Sequence, residues 1–418
     1  MNQKVLKRNP WLFIPTQYFA EGLPYVLVNS LSVAMYSSLD VSNKAIGLTS
    51  LLYLPWAIKF LWAPVIDANL TKRKWVLLTQ LLMSLLFFAT AISLSLSRFF
   101  EITLLIFSIL AFVSSTHDIA TDGFYLHALD KNEQAFFTGI RSTFYRVAMI
   151  FGSGFLVSIA GYFGTENLKF GWSLSFIISG IIFGVLYFYH LNFLPFPNTD
   201  IEVREIKKDV SSTPFVKVFT NYFSQNKIVI ILAFILLYRF GEGLLVKMTP
   251  PFLLASYNEG GMNISLEKLG IMYGTFGVLA LVIGGIIGGW IIKKYGLRKM
   301  IWIMVLAMNV PNLLYVYLAY VRPELWIVQL CIVIEQFGYG FGFTAFLVYL
   351  LYISKGEFKT SFYAISTGFM AFGMMLPGMI SGYLQESLGY FWFFIISFLA
   401  TIPGMVLILF LPMSDEII

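Results

Sequence analysis

Five acids and five bases lie in stretches where nearly every neighbour is apolar: Glu21, Asp118, Asp122, Glu242 and Glu335 against Lys59, Arg141, Arg146, Arg239 and Lys247. At mid-bilayer such a group costs at least about 2.5–3.5 kcal/mol on insertion scales, so it faces a protein interior or a water path and either pairs or works. The chemistry open to it there is proton uptake and release, ion pairing, and recognition of a charged solute.

Spacing sorts these residues. Asp118 and Asp122 are four apart in "STHDIATDGFY" and share one helix face. At a rise of about 1.5 Å per residue, Asp118 falls about 6 Å and Asp122 about 12 Å below the midplane of their span. On the next, antiparallel span, Arg146 falls about 5 Å and Arg141 about 12 Å below it. The expected pairs are Asp118 with Arg146 and Asp122 with Arg141. The two arginines are five apart, however, about 140° around the helix, so both cannot face the aspartates squarely. One is expected to pair while the other reaches a cavity.

Glu21 sits beside the breaker run Gly22-Leu23-Pro24, with Gln17 and Tyr25 one turn away on the same face, and its own span holds no base. Burial disfavours a charged carboxylate, which makes Glu21 a candidate proton carrier. Glu335 is a similar candidate, and Glu242 has Arg239 three residues before it as a local partner. Lys59 and Lys247 are expected to pair with carboxylates or to meet an anionic substrate. Gln17 and Tyr25 join Lys59, Arg141, Arg146, Arg239, Glu242 and Lys247 as candidate substrate-binding residues; Glu21, Asp118, Asp122 and Glu335 are the candidates for proton coupling. His117 has no evident role.

The elements that position these residues follow from composition. The chain has 418 residues, 58% hydrophobic and 12% charged, where a soluble domain carries about 25% charge. It is an integral membrane protein. Twelve windows hold the roughly 20 apolar residues a spanning helix needs: about 11–36, 46–66, 75–96, 101–127, 136–163, 172–196, 228–256, 266–292, 299–320, 324–352, 360–385 and 390–412. The first is too long for a signal-peptide core and no small-residue cleavage site follows it, so it reads as a retained span. Lys and Arg crowd one set of loops, such as Lys72-Arg73-Lys74 and Lys293-Lys294, and are sparse in the other. The crowded set is cytoplasmic, and both termini lie inside. This distribution also explains the net charge of +6 without nucleic acid.

The longest loop, 197–227, divides the chain into a first bundle, 1–196, and a second, 228–418. Its part "PFVKVFTNYFSQNK" carries apolar residues at helical spacing, which suits either a helix lying on the inner membrane surface or a plain linker. The halves echo each other: "YFAEGLPY" (18–25) returns as "RFGEGLLV" (239–246), and "FFTGIRST" (136–143) faintly as "SFYAISTG" (361–368). Two parallel six-helix repeats around a substrate site describe the major facilitator fold, an all-α membrane architecture of twelve spans. Gly289, Lys293, Lys294, Gly296, Arg298 and Lys299 resemble that superfamily's cytoplasmic loop motif, with Lys293 in the place of its acid. The first-half copy keeps Asp67 and a basic run but not the glycines. By this resemblance Asp67, Gly289, Lys293, Gly296 and Arg298 are gating residues.

"EGLPY", "IGLTSLLYLPWAIKFLWAPVIDA", "SSTHDIATDGF" and "GIRSTFYRVAMIFGSG" are together similar to the AmpG-type muropeptide permeases and to the related acetyl-CoA transporters. The similarity is strong over residues 17–160. A Gln is common in that family where this chain has His117. The resemblance implies proton-driven import of anhydro-muropeptides across a bacterial cytoplasmic (inner) membrane. The partners it implies are protons, an anionic amphiphilic solute and the bilayer; a monomer is expected. Another organic anion, such as acetyl-CoA, a sugar conjugate or a siderophore, is the alternative substrate. An embedded enzyme or lipid-handling protein is remote, because His117, His127 and His190 fall on different spans or span ends and Cys331 is alone. No cofactor or metal is expected.

Overall fold

The computed structural model describes residues 8–200, 213–354 and 359–413, without the side chains of Asp67 and Lys131 among others. Within these residues every regular element is helical. We label α1 (Ile14–Val26), α2 (Asn43–Leu48), α3 (Lys72–Ser93), α4 (Phe99–Ala128), α5 (Lys131–Ile150), α6 (Leu168–Phe193) and α7 (Thr213–Phe223). The second half holds α8 (Ile228–Leu237), α9 (Phe240–Leu254), α10 (Val278–Tyr295), α11 (Leu297–Asn309), α12 (Leu313–Val321), α13 (Leu325–Ile353) and α14 (Lys359–Leu399). Nine helices among the described residues are long and apolar enough to cross a membrane. The first two expected spans are instead broken into short helical pieces.

The breaks have local causes. Pro24 lies inside α1, and a π-helical stretch, Leu27–Leu31, follows it; proline removes a backbone donor and disturbs the ladder. Gly389, at φ 73°, bends α14 where the eleventh and twelfth windows meet. Starts are capped. Asp130 and Glu133 form a reciprocal capping box on α5. The Asp200 carboxylate, just past α6, accepts the Lys72 and Arg73 amides at 2.7 and 3.0 Å, placing negative charge at the N-terminus of α3.

Contacts divide the chain into two units, residues 1–35 with 58–208, and residues 36–57 with 209–418. The first unit buries Phe13, Tyr18, Phe124, Tyr125 and Phe137 together. The second buries Phe234, Tyr238, Met304, Phe346 and Tyr349. In the second unit α10 and α13 approach through small residues: a Cβ on Gly284 would strike the Phe337 carbonyl, and one on Gly340 the Leu281 carbonyl. The early segment 36–57 packs there too. A Cβ on Gly47 would meet Gly378, Met379 and Gly382 of α14 at 3.0–3.2 Å. Asn43 donates to Gln385 and Tyr390 at 2.6 and 3.1 Å, and Lys44 Nζ pairs with Glu386 at 3.0 Å. Large apolar side chains such as Ile92, Leu105, Val229 and Ile286 stay exposed, an outer surface suited to lipid.

Within the second unit α7 seats Tyr222 on α14, its hydroxyl 2.8 Å from Ser366 Oγ, with Phe362 and Ile365 packed around it.

Candidate functional site

In the first unit Lys59, Asp118, Asp122 and Arg141 gather around Glu21. Lys59 Nζ lies 3.4 Å from Asp118 Oδ2, and Arg141 Nη1 lies 3.3 Å from Asp122 Oδ1. Tyr18 joins them: its hydroxyl donates to Asp122 at 3.0 Å and accepts from Arg141 at 3.1 Å. The guanidinium also sits 4.9 and 5.2 Å from the Tyr18 and Tyr125 ring centroids. Glu21, one turn after Tyr18, is half-buried. Asp118, Asp122, Lys59 and Arg141 are all within its electrostatic reach, and its Oε2 has no hydrogen-bond partner. The Arg141–Asp122 side is accessible, with side chains 35% and 44% exposed, whereas the Asp118 side chain is 9% exposed. The arrangement offers a solute both guanidinium and ammonium groups beside carboxylates that could exchange protons.

One expected pair forms and one does not. Asp122 meets Arg141, but Asp118 meets Lys59, which arrives on the single 3-10 turn Lys59–Leu61. Arg146 makes no ion pair with an acid among the described residues. The angular separation of residues 141 and 146 is the reason: turning Arg141 to the aspartates turns Arg146 away. Gln17 is fully buried with both amide atoms unpartnered. The Tyr25 ring stands 6.5 Å from that of Tyr145.

His117 has a place. It takes part in a buried chain across four helices. Thr16 Oγ1 lies 2.8 Å from His190 Nε2, His190 Nδ1 lies 2.9 Å from Gln80 Oε1, and Gln80 Nε2 lies 3.2 Å from His117 Nε2. The amide fixes the tautomers, since its oxygen can only accept and its nitrogen only donate. His117 therefore presents an unprotonated Nε2, and its chain neighbour Asp118 is left facing Lys59. Tyr18, Gln80 and Thr16 carry no expected role from the sequence, and His190 enters there only as a histidine apart from the other two. Tyr18, one turn from Glu21, and Gln80, an amide inside an apolar span, carried the signal.

In the second unit Arg239, the local partner open to Glu242, makes no hydrogen bond with it among the described residues. Arg239 instead donates to the Tyr339 hydroxyl and lies 4.4 Å over the Phe343 ring. Glu242, Lys247 and Glu335 are buried, and both Glu242 oxygens and Lys247 Nζ lack partners. At the motif loop, Gly296 has φ 81° and ψ 149°, a conformation closed to other residues, which accounts for that glycine. A Cβ on Gly289 would touch nothing within 4 Å, so close packing does not explain it. Lys293 and Arg298 are exposed. The Asp67 side chain lies outside the described residues.

Comparison with known proteins fits this picture. The family model of the Major Facilitator Superfamily matches residues 16–355 and 236–416. The anhydromuropeptide permease of Escherichia coli strain K12 is 24% identical over 397 residues, covering 94% of this chain and 77% of that protein. An uncharacterized Haemophilus influenzae protein is 25% identical over 95% of this chain and 93% of its own. The likeness to AmpG-type permeases thus extends along nearly the whole chain. Among solved structures, a point mutant of the nucleoside transporter NupG superimposes with TM-score 0.70 at 15% identity, covering 96% of this chain and 98% of its own. The inward-open xylose transporter XylE from E. coli gives 0.65 at 14% over 97% of each. The protein is a multi-pass membrane transporter and not an enzyme, and its chain belongs to the Major Facilitator Superfamily.

Proposed function

We propose that the protein imports peptidoglycan-derived anhydro-muropeptides, or a closely similar anionic sugar-peptide, together with protons across a bacterial cytoplasmic membrane, with both termini inside. The observation that carries this reading is the Lys59–Asp118 and Arg141–Asp122 network around Glu21, in a chain whose E. coli relative is an anhydromuropeptide permease. Arg141 and Lys59 meet the solute's carboxylates, while Tyr18 and the two aspartates meet sugar hydroxyls. Glu21 accepts a proton when the site faces outward and gives it up inside, so one proton enters with the solute. Gln17, Tyr25, Arg146, Arg239, Glu242 and Lys247 are further substrate contacts, and Glu335 a further carboxyl for coupling. The loop with Gly289, Lys293, Gly296 and Arg298, with Asp67, acts as the cytoplasmic latch of an alternating-access cycle.

Uptake of labelled anhydro-disaccharide into proteoliposomes tests this. Collapsing the proton gradient should stop accumulation; unchanged accumulation removes proton coupling, and no uptake of this solute removes the substrate. Glu21→Gln should abolish gradient-driven uptake and leave solute exchange; full accumulation by this variant takes Glu21 out of the mechanism.

A further inference from the structure

The second unit holds two acids set apart from the ion-paired network of the first. Glu242 on α9 and Glu335 on α13 are each 0% exposed, and each lies within electrostatic reach of the other. Neither oxygen of Glu242 has a hydrogen-bond partner. Glu335 is held differently. Its Oε2 accepts from the Tyr315 hydroxyl at 3.1 Å and from Gln336 Nε2 at 3.0 Å, and that same amide lies 3.5 Å from the Tyr273 hydroxyl. Its Oε1 is unpartnered.

Among the described residues no base makes an ion pair with either acid. Arg239, in reach of Glu242, directs its hydrogen bond to Tyr339 and its face to Phe343. Lys247 is five residues beyond Glu242, about 140° around the helix, and its Nζ has no hydrogen-bond partner. Among the described residues the other titratable groups in reach of the pair are phenols: Tyr273, in reach of both acids, and Tyr315, bonded to Glu335. From α14 the neighbours of Gly243, next to Glu242, are Met374 and Pro377, which bring no charge.

A carboxylate out of water with no donor on either oxygen is its costliest state, and protonation removes the cost. Two buried carboxyls near one another do not both ionise. The two donors on Glu335 stabilise the charge there, and Glu242 has none. We propose that Glu242 and Glu335 form a proton-binding site of the second unit, holding one exchangeable proton on Glu242 beside a charged Glu335. Binding forms one O–H bond on Glu242 at the expense of a hydronium ion, and release returns the proton to water. Its use in coupling rests on the transport reading above; its existence does not.

Infrared absorption of the full-length protein in liposomes, without substrate, tests it. At neutral pH the wild type should show a protonated-carboxyl stretch that Glu242→Gln lacks and Glu21→Gln retains. Glu335→Gln should change the pH at which that band disappears. Identical spectra for wild type and Glu242→Gln across the pH range overturn the proposal. So does a sodium-specific thermal stabilisation lost in Glu242→Gln, which would make this a sodium site. Should Glu242→Gln fail to give folded protein, an unchanged band titration in Glu335→Gln overturns it instead. A positive band with no solute uptake would sink the transport reading and leave this site standing; proton-driven uptake without the band would do the reverse.

Discussion

The Glu-Gly-Leu run occurs once in each unit, and the glycine has the same packing partner in both. A Cβ on Gly22 would meet Tyr145 O at 2.9 Å and Ala148 Cβ at 3.1 Å on α5; one on Gly243 would meet Pro377 Cγ at 2.6 Å and Met374 O at 3.0 Å on α14. These are the fifth expected spans of the two repeats. The backbone approach is thus retained while the charges around it differ. Aligning the echoes puts Arg141 opposite Ser366 and Tyr18 opposite Arg239. In the first unit, Tyr18 and Arg141 bind Asp122. In the second, Ser366 is taken by Tyr222 and Arg239 turns to Tyr339, so Glu242 keeps no base at hydrogen-bond distance among the described residues. A repeat fixes where helices touch, because that depends on small residues at one face; it does not fix where a long charged side chain finds its partner.

The comparison can be pressed hardest at the pair Arg141 and Ser366. Arg141→Ala removes the guanidinium proposed to meet the solute's carboxylate, a charge-assisted bond of roughly 1.5–3 kcal/mol, or about ten- to a hundredfold in apparent solute affinity. Ser366→Ala removes one neutral bond worth about 0.5–1.5 kcal/mol, and should change uptake by at most about two- to twelvefold. Equal losses in an uptake assay would undo the asymmetry between the units. The shared scaffold predicts the opposite pattern at the glycines. Gly22→Val and Gly243→Val each overpack a helix contact and should each cost about 1–3 kcal/mol, read as a similar fall in thermal stability for both. A loss at only one would break the repeat.

A third contrast lies at His117, between losing the acceptor and replacing it. His117→Leu strands the Gln80 amide, at about 1–3 kcal/mol. His117→Gln supplies an acceptor and should recover most of the stability and the solute affinity. If His117→Gln behaves like His117→Leu in both readouts, His117 does more than hold α4 in register.

Much of this was legible in the sequence. The ten charged residues, the Asp118–Asp122 face, the Glu-Gly-Leu repeat and the glycine of the motif loop all follow from spacing, because helical periodicity and hydrocarbon length are local constraints. Asp122 with Arg141 was legible too, since two adjacent antiparallel spans set their depths. Asp118 with Lys59 was not: Lys59 sits where span two breaks into short helical pieces, and a depth count assumes a straight helix. Nor was the Thr16–His190–Gln80–His117 chain, whose members come from four helices.

By itself the sequence determined a helical membrane protein with two related halves and a set of ionisable groups too costly to bury idly. Only the tertiary structure decided which acid meets which base. Pairing depends on each helix's rotation about its axis and on the local unwinding near Pro24 and Lys59, and these are settled by packing between helices, not by the order of residues within one.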